Sequence, residues 1–73
     1  MFDFFRENVK KLLAERKLTY YQLSEKAGIA ESTIKSFMCG ASDSRRIAEK
    51  IADSLDFDLV YSNGVYTIRS KET

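Results

Sequence analysis

Histidine and proline are absent from the 73-residue sequence, and cysteine occurs once. Without imidazole the commonest general base is missing, and Cys39 by itself supplies neither a metal cluster nor an intramolecular disulfide. No run of about 18 apolar residues occurs, nor the apolar stretch of a signal peptide, so the expectation is a soluble, cytoplasmic chain with no membrane partner. Charge of one sign is not in excess either: 12 Lys and Arg stand against 11 Asp and Glu, a formal net charge of +1. Acids spread this evenly among bases read as solvated surface, so neither an enzyme nor a cofactor is expected. A nucleic-acid binder of this composition needs a localised basic face.

What is present, 44% hydrophobic and 32% charged residues in 73 positions, describes one small domain with a single core. A chain this short removes only about 60% of its unfolded surface from water. From Phe2 to Arg16, Phe5, Val9, Leu12 and Leu13 follow the i, i+4, i+7, i+8 spacing of one helix face, with Arg6, Glu7, Lys10, Lys11 and Glu15 elsewhere. Asp3 is the expected N-cap of this helix. Phe2 and Phe4 are expected to cover the end of the core.

Thr19-Tyr20-Tyr21-Gln22 fits a capping box, and Leu18 and Leu23 supply the apolar staple around it. A second helix therefore starts at about Tyr20 and stops near Gly28, a residue suited to a left-handed turn. A third helix begins at once, with Ile34 and Phe37 inward and Ala30 at an N-cap position that lacks a side-chain oxygen; Gly40 ends it. The polar run Ala41-Ser42-Asp43-Ser44 offers caps for a fourth helix carrying Ile47, Ala48, Ile51, Ala52 and Leu55. Arg45 and Arg46 in its first turn oppose the helix dipole, so Asp43, Glu49 or an external anion is expected to offset them.

Beyond residue 56 the apolar period changes to two. The segments 57–62 and 65–70 flank Asn63-Gly64, a strong signal for a two-residue hairpin with a type I′ turn. That register pairs Tyr61 with Tyr66, Leu59 with Ile68 and Asp58 with Arg69, and gathers Phe57, Leu59, Tyr61, Tyr66 and Ile68 on one face. The predicted architecture is mainly α: a four-helix domain over 1–57, a hairpin of the same domain over 58–70, and a frayed tail at 71–73. An isolated hairpin is marginal in water, so its apolar face must pack on the helices or on another hairpin.

Two short helices joined by a tight glycine turn, set between an amphipathic first helix and an apolar-faced fourth, form a helix-turn-helix arrangement. The stretches Val9–Thr19, Gln22–Ile34 and Ala48–Leu55 together resemble the phage Cro/repressor, or XRE-like, type of DNA-binding domain over roughly residues 4 to 57. The resemblance implies a recognition helix in the major groove that presents Glu31, Ser32, Lys35 and Ser36 to base edges. Lys35 would donate to guanine, Glu31 would accept from cytosine, and the serines would read either. It also implies phosphate contacts from Tyr20, Tyr21, Thr33, Ser42, Ser44, Arg45 and Arg46. The chain departs from the family pattern at Ala30, where a hydroxyl cap is usual, and at Tyr20, Ser24, Met38 and Cys39.

Two functions follow. One is a small regulator of a phage, prophage or plasmid genetic switch, Cro-like or accessory, that binds operator DNA as a homodimer joined through the hairpin. The other is a protein-binding module on the same fold: an antirepressor that inactivates a partner repressor, or an antitoxin that covers a toxin. The second would dock through Met38 and the hairpin residues Leu59, Tyr61, Tyr66 and Ile68. Glu31 on the recognition helix and the low net charge favour it, while Lys35, Arg45 and Arg46 favour the first.

Overall fold

The computed structural model describes residues 1–71. Four helices, α1 (Asp3–Arg16), α2 (Tyr20–Ala27), α3 (Glu31–Met38) and α4 (Arg45–Ser54), are followed by an antiparallel hairpin of β1 (Phe57–Ser62) and β2 (Val65–Ser70). The mainly α architecture is the one that the spacing predicts. The register also agrees: Asp58 opposes Arg69, Leu59 opposes Ile68, and Tyr61 opposes Tyr66. Asn63 and Gly64 both take positive φ, 51° and 78°, as a type I′ turn requires.

Local chemistry ends each helix. The Thr19–Gln22 capping box is formed, with the Gln22 amide donating to the Thr19 hydroxyl at 3.1 Å and the Thr19 amide donating to the Gln22 side chain at 2.9 Å. Gly28 then turns left-handed at φ 69°, and the Ile29 amide reaches back to the Ser24 carbonyl at 3.1 Å. Gly40, at φ 90°, does the same after α3 while the Ala41 amide donates to Ser36 at 2.9 Å. At the end of α1 the left-handed position falls on Lys17, φ 55°, with the Leu18 amide bonded to Leu13 at 2.9 Å. A side chain there is strained, because only glycine adopts this conformation without a Cβ clash. Lys17→Gly is therefore expected to raise stability by about 0.5–1 kcal/mol, read as a melting-temperature rise of a few degrees. A fall in melting temperature would contradict the strain argument.

Asp3 does not cap α1. Phe2 stands at the N-cap with no side-chain hydrogen bond, and Asp3 instead lies inside the first turn with its carboxylate 3.4 Å from Arg6. Of the two extra phenylalanines, Phe2 is buried, whereas Phe4 faces solvent.

The core is built from Phe2, Phe5, Val9 and Leu13 of the first segment, Leu23 of α2, Ile34, Phe37 and Met38 of α3, and Ala48, Ile51, Ala52 and Leu55. Four aromatic rings lace it together. Phe2 stacks on Tyr66, centroids 4.3 Å apart and planes 5° apart, and meets Phe37 edge-on at 5.3 Å, while Phe5 meets Phe37 at 5.8 Å. The Tyr66 amide also donates to the Met1 carbonyl at 3.0 Å, so the first residues close over β2. The hairpin thus packs on its own helices through Phe57, Leu59, Tyr66 and Ile68.

The junction between α4 and β1 has its own ties. Arg16 donates to the Leu55 carbonyl at 3.0 Å, and its guanidinium lies 5.8 Å from the Phe57 ring centroid. In the segment 71–73, Lys71 donates its backbone amide to Asp56 at 3.4 Å and its ammonium to the Asp53 carboxylate, which holds the lysine pKa above its ordinary value. The expected fraying of Glu72 and Thr73 lies outside the described residues.

Candidate nucleic-acid interface

Helix α3 divides cleanly by face. Ile34, Phe37 and Met38 point into the core, and this fixes Ser32, Lys35 and Ser36 on the opposite, exposed side with Glu31 half-buried beside them. The four residues expected at base edges therefore share one surface, as the i, i+1, i+4, i+5 spacing requires. Within it the Lys35 ammonium lies 3.2 Å from the Glu31 carboxylate, one turn away. That arrangement puts a donor and an acceptor side by side, the pattern that a guanine and a neighbouring cytosine present in the major groove. Ala30 gives α3 no side-chain cap.

The phosphate set is less uniform. Tyr21 is exposed at the start of α2, Tyr20 packs partly against the core, and Thr33 is half-buried. The Ser44 hydroxyl accepts from the Ile47 amide at 3.3 Å, capping α4, which leaves its own hydrogen available to donate. Arg45 and Arg46 are exposed in the first turn of α4. Glu49 lies 3.8 Å from Arg45, one of the offsets expected, whereas Arg46 has no acidic partner among the described residues. Asp43 faces neither arginine. Its carboxylate and the Ser42 carbonyl are both held by Arg6, at 2.7 and 2.8 Å.

Arg6 is the residue that helix spacing misplaces. It sits 9% exposed within the core boundary, although the apolar face traced from Phe5 leaves it outside. A second stripe would have found it: Phe2, Arg6, Val9 and Leu13 follow i, i+4, i+7, i+11, all four buried.

The protein-docking set needs correction. Met38 is 3% exposed and fills the core, so it offers no surface to a partner. Leu59, Tyr66 and Ile68 are partly buried against the chain's own helices, and Tyr61 alone of the set stays largely open, 58% exposed. The acids gather elsewhere: an open cleft between α4 and β1, about 270 Å³, is lined by Glu49, Lys50, Asp53, Phe57 and Asp58. Among the described residues no group of three or more His, Cys, Asp or Glu is placed to hold a metal ion. No described helix is long and apolar enough to cross a membrane.

A capped helix, a glycine turn and a second helix with a polar outer face define the chain as a helix-turn-helix DNA-binding domain. The family model of the Cro/C1-type HTH DNA-binding domain matches residues 8–59, well over half of the sequence, and the chain belongs to that family. No curated protein and no solved structure matches it. The match begins after Arg6 and stops inside β1, so the first turn of α1 and most of the hairpin lie outside the matched residues.

Proposed function

We propose that the protein is a sequence-specific regulator of transcription that binds double-stranded operator DNA, a Cro-like or accessory component of a phage, prophage or plasmid genetic switch. The observation that carries this reading is the shared exposed face of Glu31, Ser32, Lys35 and Ser36 on α3, the helix that precedes the exposed Arg45 and Arg46 in the first turn of α4. In it, Lys35 and Glu31 read bases, the two serines read either base, and Tyr21, Ser42, Ser44, Arg45 and Arg46 hold the backbone. Tyr20 and Thr33 belong to the rim of that contact. Two copies joined at the hairpin, through Tyr61 and the exposed Val65 beside the turn, would place two recognition helices on half-sites about 34 Å apart.

The test is a titration of the protein into a duplex from its own upstream region and into an unrelated duplex, at about 50 and 200 mM salt. Specific binding that falls steeply between the two salts is the expected result. Arg45→Ala should weaken binding to every duplex and reduce the salt slope by about 1. Equal binding to both duplexes would sink the reading. A second reading, an antirepressor or antitoxin on the same fold, is favoured by the Glu31 carboxylate that neutralises Lys35 on the recognition face. It predicts a protein partner and no operator preference.

A further inference from the structure

Arg6 belongs to α1, yet its strongest hydrogen bonds reach the end of α3 and the loop after it. Its Nε donates to the Phe37 carbonyl at 2.6 Å, and one terminal nitrogen donates to the Ser42 carbonyl at 2.8 Å and to the Asp43 carboxylate at 2.7 Å. The other terminal nitrogen lies 3.4 Å from Asp3. The guanidinium stands 4.7 Å from the Phe37 ring centroid and 5.8 Å from that of Phe2. A cation this buried is held in place by its partners, since removing them leaves an uncompensated charge.

Anchoring α1 does not require this. Phe5, Val9 and Leu13 already bury that helix. The fork instead ties the end of α3 to residues 39–43, an irregular segment that leads directly into the Ser44 cap and the Arg45–Arg46 turn. It also neutralises Asp43, the acid nearest in sequence to those two arginines.

We propose that Arg6 is a positioning residue for DNA binding. It sets the α3–α4 loop so that Ser42, Ser44, Arg45 and Arg46 meet the phosphate backbone while α3 lies in the groove, and it keeps the Asp43 carboxylate away from the phosphates. This rests on the DNA-binding reading and adds to it a residue that acts through others rather than by touching DNA.

The experiment compares wild type, Arg6→Met, Arg6→Lys, and Asp43→Asn in the Arg6→Met background. For each, the folded fraction is measured by circular dichroism, and affinity for the preferred duplex is measured at about 50 and 200 mM salt. Corrected for folded fraction, Arg6→Met is expected to lose about tenfold in affinity and to show a salt slope shallower by about 2, because two phosphate contacts are lost. Discrimination among base substitutions should stay as in wild type. Arg6→Lys, which keeps the charge without the fork, should fall between the two, and Asp43→Asn should return part of the affinity lost in Arg6→Met. A folded Arg6→Met with the wild-type slope overturns the proposal; if that variant does not fold, an unchanged slope in Arg6→Lys does so. A wild-type protein with no operator preference overturns the DNA-binding reading together with it, and is distinguished because it fails before any variant is compared.

Discussion

Phe37→Ala is expected to remove most of the chain's folding stability at 25 °C. The ring is fully buried, edge-on to Phe2 and Phe5, with the Arg6 guanidinium lying against it. Deleting a buried phenylalanine costs about 3–5 kcal/mol, the lost transfer energy plus the cavity left behind. A domain of this size holds about 5 kcal/mol in total, near the bottom of the range for folded proteins. Collapse around the cavity is restrained from three sides, since the neighbouring rings are fixed by α1, by β2 and by the Arg6 hydrogen bonds. Urea unfolding followed by circular dichroism checks this. A midpoint close to that of wild type would mean that the aromatic cluster does not organise the core.

The second large effect concerns recognition rather than folding. Lys35→Ala is expected to remove about 1–3 kcal/mol of discrimination at one base pair while leaving the fold intact, because the side chain is exposed and paired only with Glu31. Exposed ion pairs within a helix contribute about 0.3–0.5 kcal/mol, so any stability change should be small. Competition among duplexes substituted one base pair at a time gives the measurement. The expected pattern is a loss of preference at a single position with the salt slope reduced by no more than one contact. Uniform weakening at every position would make Lys35 a phosphate contact and would require a different docking of α3.

The readable parts of this fold are those decided by near neighbours. Thr19 and Gln22 are three residues apart, Asn63 and Gly64 are adjacent, and each pair specifies its turn without help from the rest of the chain. Once the turn at 63–64 is fixed, alternation alone sets the register of Tyr61 on Tyr66 and Leu59 on Ile68. The misplaced residues depend on partners far along the sequence. Arg6 meets groups at 37, 42 and 43, and nothing around position 6 announces a carbonyl waiting there. Asp3 stays clear of the cap because Phe2 is drawn into the core by Phe37 and Tyr66. The docking role expected of Met38 fails for a related reason. Helix spacing places it beside Phe37 and Ile34, but only the packing of all the elements shows that the site is closed.

The same division applies to the candidate interface. Which side of α3 faces outward follows from Ile34 and Phe37, so the exposure of Ser32, Lys35 and Ser36 was legible, while their assignment to base edges comes from the family resemblance. The surroundings of that face were not legible, since the loop conformation after α3 depends on a side chain from α1.

The contact of Phe2 and Met1 with Tyr66 joins positions about 60 residues apart, while each helix cap and the hairpin turn closes within a few residues. Loop-closure entropy grows only with the logarithm of length, so the long closure is affordable, but it is repaid only after both ends are formed. Helical turns appear within about a microsecond and hairpins within about ten. The ring stack is therefore a late event in folding, a clasp that shuts after the parts it holds are made.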